Sequence, residues 1–389
     1  MAIISRPRTA GRAAVHVWLG LVACLAVMPL ARPVQAIETQ AREAILIDAT
    51  TGFVLMEKDA DQPMPPASMS KIMTIYMVFD RLKENRLSLD DQLLVSERAW
   101  RKGGSKMFVE VGAQVRVEDL LRGVIVQSGN DACIVLAEGL SGSEEAFAEE
   151  MTGKALEIGL TGSTFRNATG WPDPEHRMTA RDLAILARRT INEFPDYYHY
   201  YGEREFTYNE IRQGNRNPLL YKTLGADGLK TGHTNDAGYG LTGSAVRNGR
   251  RLILVVNGLE SVRVRSEESE RLIQWGFREF NNYALFEAGE TVDEAPVWLG
   301  TAARMPLVAK DAIVLTLTRK ARKGMKVTVN YASPVPAPIQ EGDEVAKLVV
   351  TPSEGEPITI PLYAGASADL LGPIGRLVAS VQFLIFGSQ

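Results

Sequence analysis

The order of hydrophobic patterns between residues 44 and 280 constrains the fold more than any other feature. Residues 44–58 hold two apolar runs on either side of Thr51-Gly52, and this pattern predicts a β-hairpin. Strand-like runs return at about 205–211, 239–246 and 251–259. Apolar residues at helical spacing predict helices at about 72–84, 117–127, 131–140, 144–157, 179–190 and 265–280. Strands at both ends with helices between them predict an α+β domain, in which helices pack on an antiparallel sheet.

The hydrophobic pattern of the sequence changes after about residue 286, from helical spacing to short strand-like runs. Short β-rich runs at 312–318, 326–331 and 346–350 are separated by Gly, Pro and charged residues. This pattern predicts a small all-β domain, compatible with a sandwich. The domain contains no His or Cys, so we expect no catalytic or metal-binding role there. The predicted organisation is a catalytic domain at 37–286, a β-rich domain at 287–366 and a separate segment at 367–389.

The last twenty residues carry apolar side chains at steps of three and four. On a helix these side chains form one stripe, which makes the segment amphipathic. A helix that lies on a membrane surface is the preferred interpretation, and packing against the rest of the protein is the alternative. Asp369 and Arg376 leave too short an uncharged stretch for the segment to span a bilayer. The stripe consists of Leu370, Leu371, Ile374, Leu377, Val378, Val381, Leu384 and Ile385.

Residues 1–36 have the order of a secretory signal peptide. Three arginines precede a long apolar run, and small residues occupy positions −3 and −1 before a cut after Ala36. A retained membrane anchor and a lipoprotein cleavage site before Cys24 are the competing interpretations. Removal of the segment takes away four arginines and no acidic residue, so the net charge changes from −4 to −8. An acidic exported protein is not expected to bind nucleic acid.

The sequence points to no metal or nucleotide cofactor. No pair of His or Cys has the spacing of metal ligands, no glycine-rich loop opens a helix after a strand, and no histidine accompanies a Gly-x-Ser-x-Gly motif. After signal cleavage Cys133 is the single cysteine, which excludes an intramolecular disulfide. Its apolar helical surroundings favour a buried small hydrophobic residue over a reactive thiol.

Ser68 and Lys71 offer a different kind of chemistry. Pro65 and Pro66 end an extended segment, and the helical pattern follows at once. Residues i and i+3 share one helix face, so the Lys71 amine can reach the Ser68 hydroxyl, whereas Ser70 faces elsewhere. A buried lysine beside other cations can lose its proton near neutral pH and act as a base. On its own, however, Ser68 is more simply explained as a helix-capping serine.

Two further motifs change this interpretation. Ser128-Gly129-Asn130 lies between two helical patterns, and Lys230-Thr231-Gly232 precedes a strand-like run. Ser-x-x-Lys, Ser-Asp-Asn and Lys-Thr-Gly in this order are the signature of serine β-lactamases and penicillin-binding proteins. In this chain the middle element is Ser-Gly-Asn. The chain resembles the D-alanyl-D-alanine carboxypeptidases, the low-molecular-mass penicillin-binding proteins of the peptidase S11 family. The resemblance covers residues 42–286 well and continues more loosely to the C-terminal helix.

The resemblance implies a fold and a role for each motif. The fold is a serine β-lactamase/transpeptidase-like α+β domain followed by a small all-β domain and an amphipathic helix. Ser68 would attack the carbonyl of the penultimate D-alanine of a peptidoglycan stem peptide, and Lys71 would act as base. Ser128 would pass a proton to the leaving amine, and Asn130 would orient Lys71 and the substrate amide. β-Lactam antibiotics would acylate the same serine.

The resemblance also implies how the substrate is held. Lys230 and Thr231, with Gly232 completing their motif, would meet the terminal carboxylate. The backbone N–H groups of Ser68 and His233 would form the oxyanion hole. Arg216 and Arg265 match family arginines near the site, with the carboxylate, an ion pair or solvent as possible partners. Packing is as good an expectation for the His233 imidazole as a role in catalysis, and His176 and Asp182 are expected to be structural.

Three rivals remain open from the sequence. A serine β-lactamase shares the fold and the acylation step, but residues 165–179 lack the Glu-x-x-Leu-Asn pattern associated with fast deacylation. D,D-endopeptidase or transpeptidase action needs no additional motif. A non-catalytic envelope-binding homologue would be expected to have lost at least one motif. The preferred expectation is an exported carboxypeptidase, peripheral on the periplasmic face of the cytoplasmic membrane.

Overall fold

The computed structural model describes residues 37–386. The predicted signal peptide and the last three residues lie outside this range. The strands are β1 Glu43–Asp48, β2 Val54–Lys58, β3 Gln92–Leu94, β4 Gln114–Arg116, β5 Glu205–Tyr208, β6 Ile211–Gly214, β7 Ala226–Thr234, β8 Gly238–Arg247, β9 Arg250–Leu259, β10 Phe280–Phe286, β11 Thr291–Trp298, β12 Arg304–Val308, β13 Ile313–Thr318, β14 Lys326–Asn330, β15 Val335–Pro336, β16 Glu344–Thr351 and β17 Ile358–Ala364. The α-helices are α1 Lys71–Lys83, α2 Glu97–Arg101, α3 Val117–Ile125, α4 Asn130–Ser141, α5 Glu144–Glu157, α6 Ala180–Glu193, α7 Pro195–Tyr198, α8 Leu219–Lys222, α9 Val262–Glu279, α10 Arg319–Arg322 and α11 Pro373–Phe386.

A five-stranded antiparallel sheet organises the catalytic domain, with the strand order β2-β1-β9-β8-β7. Side chains of a strand alternate between the two faces of the sheet. Accordingly, Ile45 and Ile47 join the large apolar core that includes helix α1, whereas Ala44 and Leu46 join a second core against α9. Strand β7 is at one edge of the sheet, so one side of its backbone faces the helical part of the domain rather than another strand.

Three of the long helices, α5, α6 and α9, begin at residues whose side chains cap them. The side-chain oxygens of Ser143, Thr179 and Ser261 accept hydrogen bonds from the amides three residues later, at the starts of α5, α6 and α9. These bonds satisfy backbone donors that have no partner within the helix. The predicted α+β architecture is confirmed, including the β1–β2 hairpin and the helices between the strands. The strand predicted at 205–211 is wrong in detail, because β5 and β6 form a tight hairpin around Asn209 and Glu210, which both have positive φ.

The β-rich domain is built on a second sheet, with the strand order β14-β16-β17-β12-β11-β15. A separate pair, β10 and β13, lies against it in one apolar core. Strand β10 starts directly after α9, so the pairing with β13 begins before residue 286. The side chains of Thr51 and Thr316 are hydrogen-bonded at 2.6 Å across the junction between the two domains.

The C-terminal helix α11 does not bury its apolar stripe. Ile374 and Leu384 are 81% and 84% exposed, and Leu377 is 68% exposed. This exposure contradicts the alternative in which the stripe packs on the protein itself. Within residues 37–386, no helix combines the length and the apolarity needed to cross a membrane.

Candidate active site

Ser68 and Lys71 meet at the start of helix α1. Residues Ala67–Ser70 form one turn of 3₁₀-helix, and α1 begins at Lys71. In a 3₁₀ turn residues i and i+3 eclipse each other, which aligns the two side chains. Lys71 Nζ donates a hydrogen bond to Ser68 Oγ at 2.8 Å. Ser70 is fully buried, and its hydroxyl has no hydrogen-bond partner in the described part of the chain.

Lys71 is completely buried. Besides Ser68, its amine donates to Asn130 Oδ1 at 2.8 Å and to the carbonyl oxygen of Thr169 at 2.6 Å. The pKa of Lys71 is lowered to about 8, mainly by burial and also by the nearby charge of Arg216. A neutral amine in contact with the serine hydroxyl is therefore accessible near neutral pH, as the base in this position requires.

The Ser128–Asn130 segment enters the site from the loop before α4. Ser128 is buried and has φ 67°, in the left-handed region that non-glycine residues seldom occupy. Asn130 is the first residue of α4, and its Nδ2 donates to the carbonyl of Gly103 at 2.8 Å. Its Oδ1 is thereby turned towards Lys71. The Asn130 side chain thus bridges the base and the loop that follows α2.

A buried carboxylate holds that loop in place. Asp131 accepts hydrogen bonds from the backbone N–H groups of Met107 at 2.8 Å and Phe108 at 2.9 Å. It is only 1% exposed. The same loop positions Ser105, whose hydroxyl accepts a hydrogen bond from Arg216 at 2.6 Å. Asp131 follows directly after the Ser128-Gly129-Asn130 motif, but no local pattern predicts this clamp.

Lys230, Thr231 and Gly232 lie on the edge strand β7 and form the opposite wall of the site. All three are buried. The pKa of Lys230 lies well below its usual value, because the side chain is buried and because Lys71 and Arg216 are positively charged neighbours. A Cβ atom at Gly232 would lie 2.8 Å from the carbonyl oxygen of Pro66. Glycine is therefore required for the strand to approach the turn that carries Ser68.

Two arginines add to the positive charge of this wall. Arg216 and Arg265 both contribute to lowering the pKa of Lys230, which shows that the predicted residues are gathered in one place. Arg265 is 6% exposed and its Nε has no hydrogen-bond partner in the described structure. Burial lowers the pKa of Arg265 to about 10. In the described part of the chain, no carboxylate forms an ion pair with this group of cations, so the group is available to an anionic part of the substrate.

The side chains of three further predicted residues contact neighbouring protein groups: those of His233, His176 and Asp182. The exposed imidazole of His233 stacks on the ring of Tyr239, with the centroids 3.9 Å apart. His176 is buried against Phe165, and burial lowers its pKa to about 4, so it is neutral. Asp182 accepts hydrogen bonds from the Ser163 hydroxyl and the Gly162 amide. The structural interpretation of His176 and Asp182 agrees with these contacts.

The loop around Asn167 was missed by sequence reasoning. Asn167 Oδ1 accepts hydrogen bonds from the backbone N–H groups of Thr169 and Trp171, which closes a tight turn. This turn presents the Thr169 carbonyl to Lys71. Gly170 has φ +74°, and a Cβ atom there would lie 1.9 Å from the carbonyl oxygen of Ala67. The Asn-x-Thr-Gly sequence is a recognisable turn signal, but its contact with Lys71 is not encoded locally.

Cys133 is not available as a second nucleophile. Cys133 is fully buried on α4, and burial raises the pKa of its thiol to about 12, so it is inert as a nucleophile. The prediction that it is a buried residue is confirmed. Among the residues that the structure describes, no three His, Cys, Asp or Glu side chains are placed to hold a metal ion.

Comparison with known proteins identifies the family. Residues 30–261 match the peptidase S11 family of D-alanyl-D-alanine carboxypeptidases, and residues 280–369 match the C-terminal domain of penicillin-binding protein 5. The second match begins at the first residue of β10. It therefore coincides with the point at which the chain leaves α9 and starts to pair with β13.

Curated relatives and solved structures agree with this match. The chain is 42% identical over 323 residues to the D-alanyl-D-alanine carboxypeptidase DacC of Escherichia coli, covering 81% of each chain. It is 38% identical to DacA of Haemophilus influenzae, covering 79% of this chain and 80% of the relative. Penicillin-binding protein 5 of Haemophilus influenzae superimposes with a TM-score of 0.80 at 36% identity, covering 86% of this chain and 99% of that one. The chain thus belongs to the peptidase S11 family of D-alanyl-D-alanine carboxypeptidases.

Proposed function

We propose that Ser68 is the nucleophile with which this carboxypeptidase removes the terminal D-alanine from peptidoglycan stem peptides. The observation that carries the proposal is the 2.8 Å contact between Ser68 Oγ and a fully buried Lys71. A lysine in that environment, with its pKa lowered to about 8, can accept the hydroxyl proton. The match to the family supports the reaction, and the geometry supports the assignment of roles.

In the proposed acylation step, neutral Lys71 takes the proton from Ser68 Oγ. The oxygen attacks the carbonyl carbon of the penultimate D-alanine and forms a tetrahedral oxyanion. The backbone N–H groups of Ser68 and His233 stabilise this oxyanion. Ser128 relays a proton to the amine of the terminal D-alanine, the C–N bond breaks, and the acyl-enzyme remains. Asn130 keeps Lys71 in position throughout.

The cations along strand β7 would explain why the enzyme cleaves at the C-terminal residue of its substrate. The free carboxylate of the substrate would lie near Lys230 and the Thr231 hydroxyl, with Arg216 and Arg265 behind them. A carboxylate that enters this group of cations gains charge-assisted hydrogen bonds. It also stabilises the protonated form of Lys230. A peptide without a free C-terminal carboxylate lacks this interaction, which favours carboxypeptidase action.

Water would complete the reaction by releasing the acyl-enzyme. The loop at 167–171 brings the backbone carbonyl of Thr169, rather than a carboxylate, to Lys71, which argues against β-lactamase-like deacylation. We therefore propose that β-lactams form a long-lived adduct on Ser68. A relative from Listeria monocytogenes, penicillin-binding protein D2, is known in an ampicillin-bound form. It is 30% identical to this chain, has a TM-score of 0.57, and covers 62% of this chain and 98% of its own.

The exposed stripe of α11 supports a peripheral membrane location for the exported enzyme, on the periplasmic face of the cytoplasmic membrane. Large apolar side chains along one helix face favour insertion at the lipid–water boundary. Deletion of residues 368–389 should move the protein from the membrane fraction to the soluble fraction. Retention of the truncated protein in the membrane fraction would contradict this location.

The decisive experiment measures free D-alanine released from diacetyl-Lys-D-Ala-D-Ala, with Ser68→Ala as the control. Release by the wild type alone supports the proposal. Equal release from both proteins would contradict the nucleophile, and no release from either would favour a non-catalytic protein. Intact-protein mass spectrometry after penicillin treatment separates the rivals, since rapid loss of the adduct would indicate a β-lactamase. Transfer of the acyl group to an added amine would indicate transpeptidase action.

A further inference from the structure

A cleft of about 700 Å³ lies at the junction between the two domains. It is formed by the turn between β8 and β9, the C-terminal part of α9, strand β10 and the side chain of Val314 on β13. The turn contains Asn248 and Gly249, whose φ values of 51° and 77° produce a tight reversal. None of the predicted site residues lines this cleft. An occupant would therefore contact both domains without entering the active site.

The cleft is lined by three arginines, Arg247, Arg250 and Arg278, and by no acidic residue. Arg250 and Arg278 each donate from Nε to a neighbouring carboxylate, of Asp48 and Glu279, at 2.7 Å. These two ion pairs are close to neutral overall. The excess positive charge of the cleft is therefore carried by Arg247.

Within residues 37–386, the hydrogen-bond acceptors of Arg247 are uncharged. Its Nε donates to the carbonyl of Leu224 at 3.1 Å, and Nη1 lies 3.5 Å from Oε1 of Gln274. Its guanidinium lies over the ring of Phe277 at 4.6 Å, which fixes its orientation. One terminal nitrogen of Arg247 and one of Arg250 are buried without a hydrogen-bond partner in the described structure. Buried donors normally have acceptors, so these charges are incompletely compensated by the protein.

Side-chain amides supply the neutral polar groups of the cleft. Asn248 and Gln274 are exposed, and Asn281 is half-buried, along its walls. Amides both donate and accept hydrogen bonds, so they suit the hydroxyl and amide groups of a saccharide–peptide polymer. Together with the arginines, they suit a polymer that also carries carboxylates. The exported chain as a whole is acidic, with a predicted net charge of −8 after loss of the four arginines in residues 1–36. The positive charge of the cleft is therefore a local feature.

The cleft is separate from the catalytic centre. Lys230 pairs with Thr242 on the neighbouring strand β8, and Arg247 follows five residues later on that strand. At the rise of a β-strand this separation is roughly 17 Å. A ligand in the cleft and a stem peptide at Ser68 can therefore bind at the same time.

We propose that this arginine-lined cleft binds carboxylates of the peptidoglycan polymer at a second point, outside the active site. The proposal rests on the proposed function for the identity of the polymer. Binding there would hold the enzyme on its polymeric substrate between turnovers. Small peptide substrates would be hydrolysed without it.

The test measures co-sedimentation of the full chain with purified peptidoglycan sacculi, in a Ser68→Ala background so that the polymer is not altered. The double variant Arg247→Gln/Arg278→Gln should bind about tenfold more weakly, because charge-assisted hydrogen bonds are lost. The matched control is Arg263→Gln/Arg304→Gln, which removes the same charge from exposed ion pairs far from the cleft. The control should bind as the parent does.

Hydrolysis of diacetyl-Lys-D-Ala-D-Ala, measured with Ser68 intact, should have an unchanged kcat/KM in the cleft variant. Equal binding by the cleft variant and the control would overturn the proposal, and so would failure of the parent to bind sacculi. Loss of binding to phosphatidylglycerol vesicles, with sacculus binding unchanged, would assign the cleft to lipid phosphate and overturn it as well. If the wild type releases no D-alanine but cleft-dependent binding persists, the proposed function fails and the second site stands.

Discussion

The two domains differ in how many charged and polar side chains they bury. The catalytic domain buries Lys71, Lys230, Asp131 and Arg265, together with other charged side chains. Among the described residues after Phe280, the buried polar side chain is Thr316, and the rest of that interior is apolar. Burying a charge is costly unless it is paired, so the catalytic domain gives up stability to keep cations poised. The described part of the β-rich domain does not pay this cost in folding free energy, because it buries no charged side chain, and it can act as a stable support for α11.

This difference explains why reactivity is confined to one domain. The pKa of a lysine falls when it is buried beside other cations. Among the described residues, Lys71 and Lys230, both near Ser68, meet that condition. The same burial keeps Lys230 without a carboxylate partner until a substrate brings one. The contrast can be tested by changing one buried group at a time in each domain.

The largest effect is expected from Lys71→Arg. Arginine keeps the positive charge but does not lose its proton at accessible pH, so the base is removed. Acylation by penicillin should slow by about 10³-fold, as measured by mass spectrometry of the adduct over time. Lys347→Arg, at an exposed position of β16, is the matched control and should acylate normally. A Lys71→Arg rate within tenfold of the wild type would exclude Lys71 as the base.

Asp131→Ala should have the next largest effect, on stability. The substitution leaves the buried amide of Met107 and the partly buried amide of Phe108 without their acceptor. We expect a loss of about 3 kcal/mol in the free energy of unfolding, measured by guanidinium denaturation. Asp311→Ala, at an exposed position of the β-rich domain, should change it by less than about 0.5 kcal/mol. Equal effects of the two substitutions would show that the clamp contributes nothing.

The acylation rate should depend on pH through Lys71. Since its pKa is lowered to about 8, the neutral base predominates above that value and the rate should fall about tenfold per pH unit below it. Stopped-flow acylation between pH 6 and 9 measures this dependence. The folded protein also binds fewer protons than the unfolded chain between pH 8 and 10.5, so this lysine makes stability rise with pH in that window. A flat rate profile would contradict the assignment.

The smallest effect is expected from Thr316→Val. The Thr316 hydroxyl bonds to Thr51 at 2.6 Å and to Asn282 at 2.9 Å, so its loss should cost about 1 kcal/mol of stability. The acylation rate should be unchanged, because no site residue is involved. Differential scanning calorimetry and the penicillin assay check the two parts. A tenfold slower acylation would show that the domain junction is coupled to the active site, which would break the contrast.

Much of the fold was predictable because it depends on local pattern. The periodicity of residues 72–84 and the capping residues Ser143 and Thr179 specify helices without reference to the rest of the chain. Errors arose where strands are short. The pattern at 205–211 predicts one strand, but the chain reverses at the polar pair Asn209-Glu210. The flanking strands have four residues each, which is too short for their patterns to be told apart.

The site was only partly predictable for a related reason. Ser68, Lys71, Ser128 and Lys230 could be named because their motifs are short and ordered. Asp131 and the turn at Asn167 could not be assigned, since each acts through backbone groups that are distant in sequence. The Thr169 carbonyl, for example, meets Lys71 across 98 residues. Such contacts do not produce a periodic pattern of hydrophobic residues from which they could be predicted.

The residue types along the chain specify which groups are available for the reaction: a serine, a lysine three residues later, and two motifs that supply a relay and an anion site. What these groups can do depends on how the chain folds. The pKa of Lys71 is lowered by complete burial and by nearby Arg216, and segments far apart in the chain create that environment. The arginine-lined cleft arises in the same way, because its walls come from both domains. Residue types are local, whereas desolvation and electrostatic potential are properties of the folded molecule.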